Sequence, residues 1–357
     1  MKDLESGGQM AQLEVDVDAI VEFLVELLNI PSPTGFTDRA IAWVQDQFRA
    51  FPLTLHRTVK GALVATWDGV AADEPRALTA HVDTLGAMVA EIKERGRLKL
   101  TQIGGYAWNS VEGEGVTVYT ADGHRFRGTI LPTKASVHAY GKEVADQERK
   151  AENMEVRLDV RAADAQEVRA LGIEVGDFVA LDPRVEVTET GFVRSRHLDD
   201  KASVACIFGA LKTLADAGLE PAQRTTVLIS NYEEHGHGAA TGFPPDLVEL
   251  LTVDMGVLGE EQNSDEYTVS ICAKDSGGPY HLAMRRKLVA LAEAAGIGFK
   301  VDVYPHYGSD GEAFWRAGGD VRVALVGPGV DASHAYERTH RDSLEQTVRL
   351  LMTYLLN

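Results

Sequence analysis

The sequence predicts an α/β fold, a mostly parallel sheet flanked by helices and interrupted by a small β-rich domain. Three observations lead there. Four short apolar runs each lead into polar, chemistry-bearing residues. Helical patterns fall between those runs. The stretch from 88 to 190 carries short β-type runs and turn signals instead.

The chain opens on two amphipathic helices. Ile20, Phe23, Leu24, Leu27 and Leu28 recur at helical spacing, as do Ile41, Val44 and Phe48. Pro31-Ser32-Pro33-Thr34-Gly35 between them reads as a loop. Ala77–Ala80 is the first buried strand and ends at His81. From Met88 to Thr190 come runs such as Val116–Tyr119 and Arg125–Ile130. Gly104-Gly105, Asp122-Gly123, Gly176-Asp177 and Asp182-Pro183 punctuate them. Domain boundaries follow: 14–87 with 191–357 as a discontinuous α/β domain, and 88–190 as the insert. Beyond the insert, Thr226–Ile229 leads to Glu233 and Glu234, and Leu251–Val253 leads to Asp254. Val321–Val326 leads to a Gly-Pro-Gly turn and then His334. Helical patterns over Ala202–Leu214, His281–Ala295 and Ser343–Leu356 separate or follow these strands. In such sheets ligands bind beyond the carboxyl ends of the strands.

Composition narrows the function. The chain has 357 residues, 45% hydrophobic and 25% charged, which is ordinary for a globular protein. Only the first residues, Met1 to Leu13, read as loose. The net charge of −19 excludes nucleic acid and anionic membrane as partners, since both require a positive footprint. Cys206 and Cys272 sit in apolar runs and read as buried, reduced thiols. With no signal-peptide pattern and no run of roughly 20 apolar residues, the expected location is cytoplasmic.

Five constellations carry chemistry. His81-Val82-Asp83 pairs an imidazole with a carboxylate that could fix its tautomer, though alone it is equally a structural hydrogen bond. Asp199-Asp200 precedes a helix and could bridge two cations or simply cap the helix. Glu233 and Glu234 follow a buried strand and could divide labour, one binding metal and one moving a proton. Asp254 and His334 are unremarkable singly. Together, His81, Asp199, Glu234, Asp254 and His334 supply imidazole and carboxylate ligands for two divalent ions, zinc above all, with cobalt or manganese as alternatives. Such a pair acts as a Lewis acid and makes water a better nucleophile.

The ordered set resembles the M42 family of metallo-aminopeptidases, within the co-catalytic zinc peptidases. The matching residues are Ala80-His81-Val82-Asp83-Thr84-Leu85-Gly86, Leu198-Asp199-Asp200-Lys201, Glu233-Glu234-His235-Gly236, Asp254 and His334. Ile30–Gly35 and Glu174–Val179 extend the likeness over nearly the whole chain. It implies a zinc-peptidase-like sheet domain with a dimerisation or PDZ-like insert. It also implies Asp199 as the bridging ligand, Glu233 as general base, Asp83 in support of His81 and a cis Asp199–Asp200 bond. Short peptides or related amides are the implied substrates and homo-oligomers the implied assemblies. By the same likeness Asp310, in Tyr307–Gly311, contacts the substrate amine. The M20 deacylases and dipeptidases share the ligand order but carry their extra domain later. Here position 81 to position 199 spans 118 residues, room for an insert, whereas 254 to 334 spans only 80.

Three departures from the family pattern stand out: Lys201, His235 and the Ala335-Tyr336 continuation after His334. They leave substrate preference open and indicate a divergent branch. One branch is associated with an N-acetylated glutaminyl-glutamine amide osmolyte. His235 and His237 read as loop residues or supporting groups. Lys274-Asp275-Ser276-Gly277-Gly278 lacks the spacing of a phosphate loop. Gly104–Trp108 could lie at a pocket or an interface. The alternatives to an aminopeptidase are an M20-like amidohydrolase and a non-catalytic assembly scaffold.

Overall fold

A computed structural model describes residues 13–357. All but Leu13 of the N-terminal stretch expected to be loose therefore lies outside the described residues. Helices α1 (Val17–Leu28) and α2 (Asp38–Phe48) come first. Asp16 caps α1, its carboxylate accepting from the Ala19 amide, and Ile20, Phe23, Leu24, Leu27 and Leu28 form the buried stripe. Strands β1 (Thr54–Arg57), β2 (Leu63–Trp67) and β3 (Ala71–His81) follow.

The chain then leaves for a closed barrel. Its strands are β4 (Gly86–Ile92), β5 (Leu98–Ile103), β6 (Gly115–Tyr119), β7 (Arg125–Pro132), β8 (Met154–Leu158) and β9 (Phe178–Leu181). Around the barrel they run β4-β5-β8-β7-β6-β9. Alternate residues such as Val116 and Val118 point inward to a core of their own with Leu98, Leu100, Val156 and Val179.

Back in the main body come β10 (Glu186–Val187), β11 (Phe192–Ser195), α3 (Leu198–Asp216) and β12 (Gln223–Ser230). Then follow β13 (Glu249–Val253), β14 (Gly256–Val257), β15 (Val269–Lys274), α4 (Leu282–Ala294) and β16 (Phe299–Val303). The chain finishes with α5 (Asp310–Arg316), β17 (Arg322–Val330), β18 (Glu337–His340) and α6 (Arg341–Leu356).

Among the described residues the main sheet runs β1-β2-β12-β3-β13-β17-β15-β16, with β14 beside β17. Its centre is parallel: β12, β3, β13 and β17 all point one way. β2 on one side and β15 on the other join it antiparallel, so the sheet is mixed. Helices α3 and α6 pack apolar residues such as Ile207 and Leu351 on it, and α1 packs against those two helices in the same core, with Leu24 buried. Cys206 and Cys272 are free and buried. No described helix is long and apolar enough to cross a membrane.

Gly327-Pro328-Gly329 corrects the expected turn, because it continues β17. A Cβ on Gly327 would lie 1.9 Å from the Asp254 carbonyl oxygen, and one on Gly329 1.9 Å from that of Asp265. The glycines serve close backbone approach rather than chain reversal. Pro328 sits where β17 meets β15, opposite Val269.

Candidate active site

Because β3, β12, β13 and β17 are parallel, their carboxyl ends open on one edge of the sheet. Ser230 lies beside His81, and Val253 beside Val326. The residues that follow these strands therefore converge.

His81 closes β3 with its ring buried. Its Nδ1 is 2.9 Å from the backbone carbonyl oxygen of Asp83 and 3.5 Å from the Asp83 carboxylate. A carbonyl can only accept, so Nδ1 carries a proton, and in the neutral ring the lone pair is on Nε2. That Nε2 faces Asp199 Oδ1 at 3.3 Å and Glu233 Oε2 at 3.6 Å. Asp199 lies in a non-helical step at the start of α3, and its peptide bond to Asp200 is cis. Its other oxygen, Oδ2, is 3.3 Å from His334 Nε2 and accepts from Ser333 Oγ at 3.1 Å. One carboxylate thus turns an oxygen to each histidine. His81, Asp199 and Asp254 offer ligand atoms that all lie within 4.8 Å of one another. On the other side, Glu234 Oε2 is 3.7 Å from His334 Nε2. His334 adopts φ +66° and donates from Nδ1 to the Gly105 carbonyl oxygen at 2.5 Å, so in the neutral ring the lone pair is on Nε2.

Asp199, Glu233, Glu234, Asp254, Ser333 and His334 line a cavity of about 460 Å³ together with Met255, Val257, His306 and Tyr307.

A family model described as M42 glutamyl aminopeptidase matches residues 61–350. The chain belongs to this M42 family. A Bacillus subtilis (strain 168) protein, YhfE, whose name gives it a provisional assignment as an aminopeptidase, is 49% identical over 94% of this chain and 96% of its own. Among solved structures, the aminopeptidase APDkam598 of the archaeon Desulfurococcus kamchatkensis superposes with a TM-score of 0.85 at 21% identity, covering 96% of this chain and 95% of that one. The TET1 peptidase of Pyrococcus horikoshii gives 0.83 at 21%, covering 95% and 99%; its title describes assembly into a tetrahedron or a large octahedral shell. At such identities the likeness shows the fold.

In this M42 chain the nearest acceptor for the His81 ring is the Asp83 backbone carbonyl, and the Asp83 carboxylate has other partners. Oδ1 accepts from the Glu233 amide at 3.1 Å. Oδ2 accepts from the Glu234 amide at 3.2 Å and from Thr34 Oγ1 at 2.8 Å. It therefore fixes the turn that presents both glutamates. Asp310, expected beside the substrate amine, has partners within the chain. It is buried, Oδ1 accepting from the Ala239 amide at 2.7 Å and Oδ2 from Ser230 Oγ. The two oxygens thus span the Glu233 loop, one holding its start at Ser230 and the other its end at Ala239. His235 is exposed, its Nε2 accepting from the Gly104 amide at 3.2 Å, and His237 stacks on Tyr232. Lys274 donates to the Asp275 carbonyl oxygen.

Three further residues support these groups; the sequence offered Asp200 only as half of a bridging or capping pair and gave Glu337 and Arg196 no role. Glu337 Oε2 accepts from the Asp199 amide and Oε1 from the His334 amide, both at 3.0 Å. Asp200 Oδ2 accepts from the His81 amide at 3.3 Å. Arg196, buried, donates to the carbonyl oxygens of Ala335 and Ser110 and to Glu114. Only the nearness of Asp200 and Glu337 to the ligand motifs hinted at them. The departures from the family pattern also gain partners. Lys201 is buried and donates to the Leu27 and Ile30 carbonyl oxygens, tying α3 to the end of α1. The Tyr336 hydroxyl donates to the Arg184 carbonyl oxygen.

The electrostatics point to a cation. Burial, then the negative charge of Asp199, pushes both Glu234 and Asp254 up to about 8. Burial opposes ionisation of Asp199, yet the flanking histidines hold it well below the usual carboxylate range. His334 is pushed up to about 10, because Asp199 outweighs the burial that works against its charge; with no cation present a proton on Nε2 takes the place that a metal ion would take. His81 Nε2 and Glu234 Oε1 are buried without a hydrogen-bond partner. Converging carboxylates, free imidazole nitrogens and unsatisfied buried atoms form a donor set that fits divalent metal.

Proposed function

We propose that this chain is a metal-dependent hydrolase of peptide or related amide bonds, acting as an aminopeptidase on short peptides. The observation that carries the reading is Asp199, with one oxygen 3.3 Å from His81 Nε2 and the other 3.3 Å from His334 Nε2. His81, Asp199 and Asp254 would hold one ion, and Asp199, Glu234 and His334 a second, zinc being the first choice. When bound, the ions supply Lewis acidity to the scissile carbonyl and to water.

The chain's own residues do the rest. Asp83 holds the Glu233 amide, and Glu233 Oε2 lies 3.6 Å from the His81 ring, at the wall of the cavity. From there Glu233 takes the proton of the attacking water and returns it to the leaving amine. Glu337 fixes the Asp199 and His334 backbones in one grip, which keeps the two halves of the site in register. We divide the chain into a catalytic part, 14–87 with 191–357, and an inserted part, 88–190. The expected assembly is a homo-oligomer, in line with the shells named for the TET1 relative. The two unpaired thiols support a cytoplasmic location.

The test is metal analysis with a substrate panel on wild type and Glu233→Gln. About two divalent ions per chain are expected in both proteins, and a rate at least about 100-fold lower in the variant. Full activity of Glu233→Gln would remove Glu233 as the base. Cleavage of N-acyl amino acids but not of aminoacyl anilides would replace the aminopeptidase reading with an amidohydrolase one. The osmolyte amide belongs in the panel as a blocked substrate.

A further inference from the structure

The family is described as glutamyl aminopeptidase. A pocket that selects a glutamyl side chain needs a cation to meet its carboxylate, because a desolvated, unpaired charge is costly. None of the described residues lining this cavity is a lysine or an arginine. Lys60 lies close enough to feel Asp310 and Asp83, yet its ammonium donates to the His237 and Gly238 carbonyl oxygens. Arg196 is committed to Ala335, Ser110 and Glu114.

The wall beyond the acidic groups is Met255, Val257, Tyr307 and His306. Tyr307 is held at both ends. Its amide donates to Ser276 Oγ at 3.1 Å and its hydroxyl to the Met255 carbonyl oxygen at 3.0 Å. Its ring also packs against Tyr304, centroids 5.2 Å apart. The phenol oxygen is thus engaged by backbone, and what the wall presents is aromatic and aliphatic surface.

We infer that the wall of Met255, Val257 and Tyr307 is the subsite for the side chain of the substrate's first residue, and that it takes neutral, apolar or aromatic side chains rather than carboxylates. This rests on the aminopeptidase reading. His306, exposed at the same wall, is the group through which an acidic preference would have to act.

The test compares kcat/KM for leucyl, methionyl, phenylalanyl, glutamyl and lysyl anilides. The metal-loaded wild type, His306→Gln, His306→Lys and Val257→Lys are assayed. Calorimetry of Glu233→Gln with free leucine and free glutamate supplies a readout without turnover. The expected result is a preference for leucyl or methionyl over glutamyl of roughly tenfold or more, with leucine binding more tightly than glutamate. His306→Gln should leave that order intact. Both lysine variants should raise the glutamyl-to-leucyl ratio about tenfold, and His306→Lys, at an exposed position, carries this arm if Val257→Lys fails to fold. A wild-type preference for glutamyl that His306→Gln abolishes would overturn the inference, as would a ratio that neither lysine moves. Failure to cleave any anilide while N-acyl amino acids are cleaved would instead defeat the underlying aminopeptidase reading, and the subsite with it.

Discussion

Replacing Arg196 with Met should both destabilise the protein and slow it. The guanidinium is only 2% exposed and ties three parts of the chain together. It donates to the Ala335 carbonyl oxygen at 3.0 Å, next to His334, and to the Ser110 carbonyl oxygen in the segment between β5 and β6 of the barrel. It also pairs with Glu114 Oε1 at 3.2 Å. Methionine fills similar volume, so the loss is polar. Two carbonyl groups lose a donor, at about 1–3 kcal/mol for each one left unsatisfied. Glu114 keeps Arg184 at 2.8 Å, which spares it the full cost of an orphaned charge. A total near ~3 kcal/mol, against an unfolding entropy of about 2.1 cal/mol/K per residue, lowers Tm by roughly 4 °C. If about 1.4 kcal/mol of that falls on the placement of His334, kcat/KM drops about tenfold. Arg184→Met is the matched control. Its side chain is 47% exposed, and such pairs contribute under about 1 kcal/mol. Calorimetry and kinetics on the two variants and their double settle the matter. Wild-type Tm and rate in Arg196→Met would show that the tie holds nothing. Equal losses in both single variants would show that burial is not the source of its strength.

Two further outcomes follow from the same structure. Gly327→Ala places a Cβ 1.9 Å from the Asp254 carbonyl oxygen, a backbone atom that cannot step aside; denaturant unfolding should show a loss of about 1–3 kcal/mol or more, whereas Gly308→Ala, with open space around it, should show none. Glu312 is raised to about 7 by burial and then by the neighbouring Asp275 carboxylate, so the folded state holds a proton that the unfolded state releases near 4.5. Stability from this group is present below about 4.5 and is lost as pH rises through 7, and Glu312→Gln should therefore raise Tm at about pH 8 while changing it little at about pH 5; an equal shift at both pH values would refute the assignment.

Much of the sheet's working edge was legible because burial on both faces turns a central parallel strand into a continuous apolar run. Such a run ends abruptly where the chain reaches the open edge. Thr226–Ile229 before Glu233 and Leu251–Val253 before Asp254 carry that mark. The antiparallel flanks carry a weaker one. β1 is nearly all exposed, and in β16 the buried residue is Asp302 while Val303 is exposed, so neither shows an apolar face turned to the core. Gly327-Pro328-Gly329 misled for a physical reason. Glycine signals a turn or a close approach equally well, and only the strand lying across it decides which. The supporting groups were illegible for want of distance information. Glu337 serves Asp199 across 138 positions, and Arg196 serves Ser110 across 86. A buried acid or arginine beside a motif has no local signature of the partner it will meet. Asp83 was visible as a partner of His81, but its grip on the Glu233 and Glu234 amides spans about 150 positions.

Those distant contacts change what the barrel is for. His334 can present Nε2 to Asp199 only while Nδ1 is occupied by an acceptor, and that acceptor is the carbonyl of Gly105, just beyond β5. Next to it, Gly104 adopts φ +72°, and a Cβ there would meet Leu85 at 2.4 Å and Glu234 Oε2 at 3.3 Å. Its amide donates to His235. The segment after β5 thus touches the loops bearing His334 and Glu234 at once. Further along the same segment, Arg196 fastens the Ser110 carbonyl to the backbone beside His334. A barrel that merely joined subunits would need none of these contacts. The segment after β5 holds the His334 ring and packs beside Glu234, so the geometry of both side chains depends on the barrel being docked against the sheet.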